Sequence, residues 1–464
     1  MTAQIRETKS ELPQFFESEF GQLPTHGVWS PGRVNLIGEH TDYNMLPVLP
    51  IAIGRGFNWL VRANGLGKVR VRNLDPSYRA AEFDASGEIP PSPPGHWANY
   101  IKAAVQATWP LIRQARGEEA AGFDAVLDSS LPPAAGLSSS SALVVGSHLA
   151  LTTVNHFAMN PADSAGLMCH AEHYTGTAGG GMDQAVILLG QSHCALEIHF
   201  GPLRAEKALL PEDAAFFAVD SLQRAVKSGK TRFEYNRRVF ECAAGLELLR
   251  RHAVRIDPAC QSEQWRHLRD AAVYFKQSGI SHTRFSLEAI GTEAWSPRRL
   301  RNALGAIYAE LLTEKKMPPA GSSPWRAFGG FNIHSRLAHV FGEAERVHKC
   351  AQAFASGRLD EAATHISLSH ASCRDLYHIS TPEIERLAGN AVRCGALAAR
   401  ITGAGFGGSV VAMTTRRRAA EFSGKLWETH FAPMPGNKPA SGGIRPESVI
   451  IDCEPASGAA SWIL

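Results

Sequence analysis

Long apolar runs, a surplus of one charge and paired cysteines are all missing from this 464-residue sequence. No stretch approaches the roughly 18 uncharged apolar residues that a membrane-spanning helix needs, so a membrane partner is not expected. Lys plus Arg number 47 against 44 Asp plus Glu, and the basic residues are scattered apart from short clusters such as Arg416, Arg417 and Arg418. That cluster lacks interleaved aromatics and reads as a solvated turn or helix start, which leaves nucleic acid an unexpected partner. The eight cysteines form no C-x-x-C pair, so zinc ribbons and dithiol redox centres are excluded, and reduced, mostly buried thiols are expected. The start, MTAQIRETKSELPQFFESEF, has no basic end followed by an apolar block, so a cytoplasmic location is expected. A Walker A loop and a G-x-G-x-x-G fingerprint are also absent.

What is present is a chain long enough for two domains, with 44% hydrophobic and 20% charged residues. The first 200 or so positions alternate probable strands with a few helices. Strands are expected at Pro47 to Ile53, Phe57 to Ala63, Lys68 to Arg72, Phe123 to Leu127, Ala185 to Leu189 and Ala195 to Phe200. Helices are expected near Asn99 to Thr108, Ser139 to Asn155 and Pro161 to Tyr174. The second half carries helical periodicity at Arg232 to Arg251, Arg336 to Phe354 and Pro382 to Arg393, then strands at Ser409 to Thr414 and Ser448 to Cys453. This is an α+β pattern, with a boundary expected near Gly201 to Ala205 that divides the chain into residues 1–205 and 206–464.

Four segments concentrate chemistry. LPPAAGLSSSSALVVGSHLA, from Leu131, leads a small-residue loop straight into a helix, so unpaired amides and hydroxyls gather where the helix dipole favours an anion. A plain N-cap with a solvated first turn is the simpler alternative. SPGRVNLIGEHTDYN, Ser30 to Asn44, sets Arg33 beside Glu39, His40 and Asp42, a group able to hold the hydroxyls of a polyol, with a metal site the competing reading for the last three although their spacing matches no common metal motif. HYTGTAGGGMDQAVILLG, from His173, places Asp183 after three glycines, where a carboxylate could act as a base or simply cap a tight turn. RITGAGFGGSVVAM, from Arg400, is a further glycine-dense loop and says little alone.

Together these segments resemble the motifs of the GHMP kinase superfamily and, within it, the galactokinases. SPGRVNLIGEHTDYN is similar to the galactokinase signature, the serine loop to the superfamily's phosphate loop, and ITGAGFGG to its third motif. HVFGEAERV, SHASCRDLY, TPEIERL and the ending ASGAASWIL extend the likeness, and only about 261–335 lacks a counterpart. The resemblance implies a two-domain GHMP kinase fold, S5-like at the N-terminal end and ferredoxin-like at the C-terminal end, with the active site between them. It implies ATP and Mg²⁺ as cofactors and a sugar phosphorylated at its anomeric hydroxyl.

By position, Asp183 would be the catalytic aspartate and Arg33 its cationic partner. Ser140 and Glu172 would ligate magnesium. Glu39, His40, Asp42, Gly180 and Tyr235 would hold the sugar, and Gly136, Leu137, Ser138, Ser139, Ser140 and Ser141 the phosphates of ATP. HTDYN and Tyr235 resemble the galactose branch, whereas LPPAAGLSSSSALV, with Ala134 in place of a common Gly, and GTAGGGMDQ resemble the N-acetylgalactosamine branch. Galactose is the expected substrate and N-acetylgalactosamine the alternative. A sugar sensor is a third possibility from another class, set against an intact serine run.

Overall fold

The computed structural model describes residues 11–132, 136–176, 179–223, 230–318, 328–434 and 444–464. Its strands are β1 His26–Ile37, β2 Leu49–Asn64, β3 Lys68–Asn73, β4 Ala81–Asp84, β5 Gly122–Ser129, β6 Cys194–His199, β7 Arg204–Leu209, β8 Ala214–Asp220, β9 Ala398–Thr402, β10 Ser409–Thr415, β11 Ile450–Asp452 and β12 Ala460–Ile463. They form a six-stranded sheet in the order β12-β1-β2-β5-β3-β4, a four-stranded sheet in the order β11-β8-β10-β9, and the hairpin β6-β7. In the first sheet only the β3–β5 pair is parallel. This mixed sheet, with a separate antiparallel sheet and segregated helices, is the α+β arrangement that the sequence pattern implies.

β1 is buried along nearly its whole length because the Ser139–Val154 helix packs on it and on β2. That helix is apolar all round and correspondingly buried, the pattern of a central helix. The serine run therefore heads a rigid element. Pro31 and Gly32 interrupt the β1–β2 register, which slips between Pro31 and Arg33. A bulge of this kind re-aims the following side chain, here Arg33, whose amide instead donates to Leu137 O at 3.1 Å. A Cβ at Gly32 would lie 2.7 Å from that same oxygen, so glycine alone fits the approach of the two loops.

One expectation is corrected. Ala185 to Leu189 is the end of a helix, Met182–Leu189, and not a strand. The run AVILL has no periodicity to separate the two, and Gly181 at φ 99° starts the helical turn. At the chain's end β12 returns to pair with β1. One apolar core runs from Val28 through Phe216 to Ile451, beneath both sheets. In the stretch without a counterpart, the described residues 261–318 fold mainly into short helices, and Trp265, Phe275, Phe285 and Trp295 are buried with Phe331 in a second core. Among the described residues no helix is long and apolar enough to cross a membrane.

Candidate active site

The bulge at Gly32 turns Arg33 inward, and the helix start at Gly181 brings Asp183 to meet it across 150 positions of sequence. Arg33 donates from Nε to Asp183 Oδ1 at 2.6 Å and from Nη2 to Oδ2 at 3.0 Å, a two-point grip that only a guanidinium can make. Its Nη1 donates to Gly136 O at 2.8 Å, which ties the pair to the serine loop. The Arg33 side chain is 7% exposed and that of Asp183 25%, so the carboxylate keeps an open side while its partner does not. Burial alone would lower the Arg33 pKa, but Asp183, then Glu39 and Asp42, outweigh it and raise it.

Ser138 precedes the helix in the left-handed conformation, φ 57°, as does Gly136 at φ 73°. The Ser138 hydroxyl does not cap the helix and donates instead to Asp183 Oδ2 at 2.5 Å. The first-turn amides thus lack a side-chain cap, which suits them to an anion. Ser141, one turn inside, donates to Glu172 Oε2 at 2.8 Å and lies 3.5 Å from Asp183 Oδ2. Gln184 Nε2 makes a short hydrogen bond to the same Glu172 oxygen. Glu172, expected together with Ser140 as a magnesium ligand, thus accepts from the Ser141 hydroxyl. Successive helix positions face about 100° apart, so the helix's rotation decides which serine meets the neighbouring Pro161–Glu172 helix. Ser139 and Ser140 are half-buried in the first turn, and Leu137 is buried. Ala134 lies outside the described residues.

The expected sugar-binding residues flank this cluster. Gly180 N donates to Asp42 Oδ2 at 3.1 Å, and a Cβ on Gly180 would stand 2.3 Å from Tyr43 N and 2.4 Å from Asp42 Cγ, so only glycine fits. Burial, reinforced by Asp183 and Glu39, raises the Asp42 pKa to about 6. Tyr235, on the Lys230–Ile256 helix, has its pKa raised by burial and then by Asp42, Asp183, Glu39 and Glu172. Its hydroxyl therefore lies within electrostatic reach of all four carboxylates.

Glu39 and His40 are held more firmly than expected. Glu39 Oε1 accepts from Gly403 N at 2.9 Å and Arg400 Nη1 at 3.2 Å. Arg400 is fully buried and also reaches Asn35 O and Leu36 O, both at 3.4 Å. From the Ile333–Ala355 helix, Glu343 accepts from Gly38 N at 3.0 Å and His339 Nε2 donates to Glu39 O at 3.1 Å. Burial first, then His339, lowers the His40 pKa to about 3, so its ring is neutral. Its Nε2 lies 3.2 Å from Ala404 O, which can only accept, so that nitrogen carries the hydrogen. Nδ1 must then accept from Tyr43 Oη at 2.9 Å, Tyr43 from Tyr377 Oη at 2.7 Å, and Tyr377 from Cys242 Sγ at 3.2 Å. With both nitrogens engaged, His40 could meet a sugar hydroxyl only by exchanging one of these partners.

Arg400, Tyr377, Tyr43, His339, Glu343 and Gln184 were not among the residues picked out by sequence. Arg400 and Tyr377 stand in RITGAGFGG and SHASCRDLY, segments whose composition says nothing about a contact with Ser30 to Asn44.

Residues 14–63 match the galactokinase galactose-binding signature, 99–191 the GHMP kinases N terminal domain and 350–432 the GHMP kinases C terminal domain. The chain is 30% identical over 450 residues to a galactokinase of Dictyostelium discoideum, covering 91% of this chain and 87% of that one. A galactokinase of Chloroflexus aurantiacus is 30% identical over 406 residues, covering 87% of each. The structure of Lactococcus lactis galactokinase complexed with galactose superposes with a TM-score of 0.68 at 23% identity, covering 97% of this chain and 98% of that one. At that identity the superposition speaks to the fold.

Proposed function

The chain belongs to the galactokinase family of the GHMP kinases, and from that premise we propose that it transfers the γ-phosphoryl group of ATP to the anomeric C1 hydroxyl of galactose. The observation that carries this reading is Asp183, gripped by Arg33 and Ser138 at the head of the Ser139–Val154 helix. A carboxylate with an open side stands there beside a helix terminus suited to phosphate.

Phosphoryl transfer asks the protein mainly to align groups and to compensate charge. Asp183 orients the C1 hydroxyl and receives its proton as the oxygen–phosphorus bond forms. Arg33 stays paired with Asp183 and offsets negative charge on the moving group. The amides from Gly136 to Ser141 hold the β- and γ-phosphates. Glu39, His40, Asp42, Gly180 and Tyr235 take the sugar's hydroxyls, with neutral His40 set by the Tyr43–Tyr377 chain.

The oxygen donors of Glu172 and the serine turn suit a hard divalent ion, so Glu172 and Ser140 would hold Mg²⁺, with Ser141 and Gln184 fixing the carboxylate. When bound, that ion supplies positive charge to the phosphate oxygens. The two domains divide near Gly201 to Ala205, with β12 returned to the first, and a cytoplasmic location suits the chemistry.

Galactose is preferred to N-acetylgalactosamine because the match to residues 14–63 is a galactose-binding signature and the curated relatives are galactokinases. Coupled ADP release from the purified protein, measured with each sugar and with none, tests both points. The expected outcome is release dependent on galactose, with the product phosphorylated at C1 by ³¹P NMR. Faster turnover of the N-acetylated sugar would overturn the substrate, and no sugar-dependent release would overturn the reaction.

A further inference from the structure

The hairpin that follows the Asp183 helix carries a second set of ligating side chains. On β6, Glu197 and His199 are two residues apart and so project from one face, and Glu206 on β7 is the direct cross-strand partner of Glu197. Carboxylates placed directly opposite each other repel. The Glu197 side chain is only 7% exposed while that of Glu206 is 64% exposed, so water relieves that repulsion from one side alone. His199 Nε2 lies 3.5 Å from Glu197 Oε1 and 3.9 Å from Glu206 Oε1. His348, on the Ile333–Ala355 helix, brings Nδ1 to 3.2 Å from Glu197 Oε1, and Gln352 Nε2 stands 3.0 Å from its other ring nitrogen. The ligand atoms of Glu197, His199 and Glu206 all lie within 4.8 Å of one another.

These spacings are those of ligands around one ion. Nitrogen and oxygen donors at about 2.1 Å in a tetrahedron stand about 3.4 Å apart. Two carboxylates and two neutral imidazoles balance a divalent charge, and mixed N and O donors suit a borderline ion better than calcium or magnesium, which want more oxygens.

We propose that Glu197, His199 and Glu206, completed by His348, bind a zinc-class divalent cation that clamps the β6–β7 hairpin to the Ile333–Ala355 helix. The site is separate from the magnesium ligands of the transfer reaction. With its amide turned, Gln352 Oε1 would accept from His348 Nε2–H and orient the ring from its outer side.

Titration of the full chain with Zn²⁺ alone, after chelator stripping, should show one equivalent bound by calorimetry and a raised Tm. Glu206→Gln removes a ligand together with the cross-strand repulsion. It should weaken Zn²⁺ binding about tenfold or more while leaving the metal-free Tm at or above the parent's. His348→Gln, at an exposed position, should also weaken binding without loss of folding. Galactose turnover should be unchanged in both. Unaltered Zn²⁺ affinity in either folded variant, or no binding by the parent, would overturn the proposal.

Discussion

Arg33, Ser138, Ser141, Glu172 and Asp183 fall within 150 positions of sequence and meet one another directly, whereas Glu39 and His40 are held by Arg400, Gly403 and Ala404 from more than 360 positions away. The phosphate side therefore rests on one sheet and the helices packed on it. The sugar side is closed by the second half of the chain. Strain marks both, since Ser138 and His40 are non-glycine residues at positive φ, 57° and 62°. The difference lies in what stays open. Asp183, though held by protein groups, leaves a quarter of its side chain exposed, while Glu39 and the His40 ring are buried among the groups that fix their direction. The charged end is organised for reaction and the sugar end for selection.

Removing the charge at the centre should give the largest effect. Asp183→Asn is expected to lower kcat by about a thousandfold while ATP binding persists, because the serine loop stands on its own helix. Steady-state rates beside nucleotide titration check this, and near-native turnover would sink the role given to Asp183.

Arg400→Met attacks the other side. It strips a buried cation from Glu39 and should destabilise the fold by about 3 to 5 kcal/mol. Where the variant folds, the KM for sugar should rise by about a factor of ten or more with the KM for ATP little moved, since only the sugar loop loses its anchor. Equal rises in both constants would mean that the two sides are not separately supported.

Ser141→Ala is expected to act more gently. Glu172 loses a donor but keeps Gln184, so the Mg²⁺ concentration for half-maximal rate should rise by up to about tenfold. A magnesium titration at saturating ATP and sugar decides it.

The smallest effect concerns stability. Asp42 has its pKa raised from 3.8 to about 6 in the folded protein, so its ionised form is disfavoured there. The associated loss of stability is absent below about pH 4 and develops as pH rises through 6. Asp42→Asn should therefore stabilise the protein by about 2 kcal/mol at pH 7 and by little at pH 4, read from denaturant melts at both values. Sugar affinity should fall in the same variant, which separates the binding role from the stability effect.

Local rules found the main helices and the serine loop, because helical periodicity and glycine freedom are written residue by residue, whereas the pairing of roles in Arg33 and Asp183 came only with the resemblance to the GHMP kinases. They missed the strand His26–Ile37, whose Pro31 and Gly32 break the alternation, and misread the apolar run AVILL, which suits strand and helix alike. They gave no sign of the Ser141–Glu172 hydrogen bond.

The sequence by itself determined the chemistry, since an anion-binding helix start, a carboxylate, a guanidinium and hydroxyl-binding groups are properties of residue types in short segments. Only the tertiary structure decided which serine faces Glu172, how neutral His40 is oriented through Tyr43 and Tyr377, and that Arg400 holds Glu39. Those depend on helix rotation and on contacts between distant segments, whose energies arise only once water has been excluded between them.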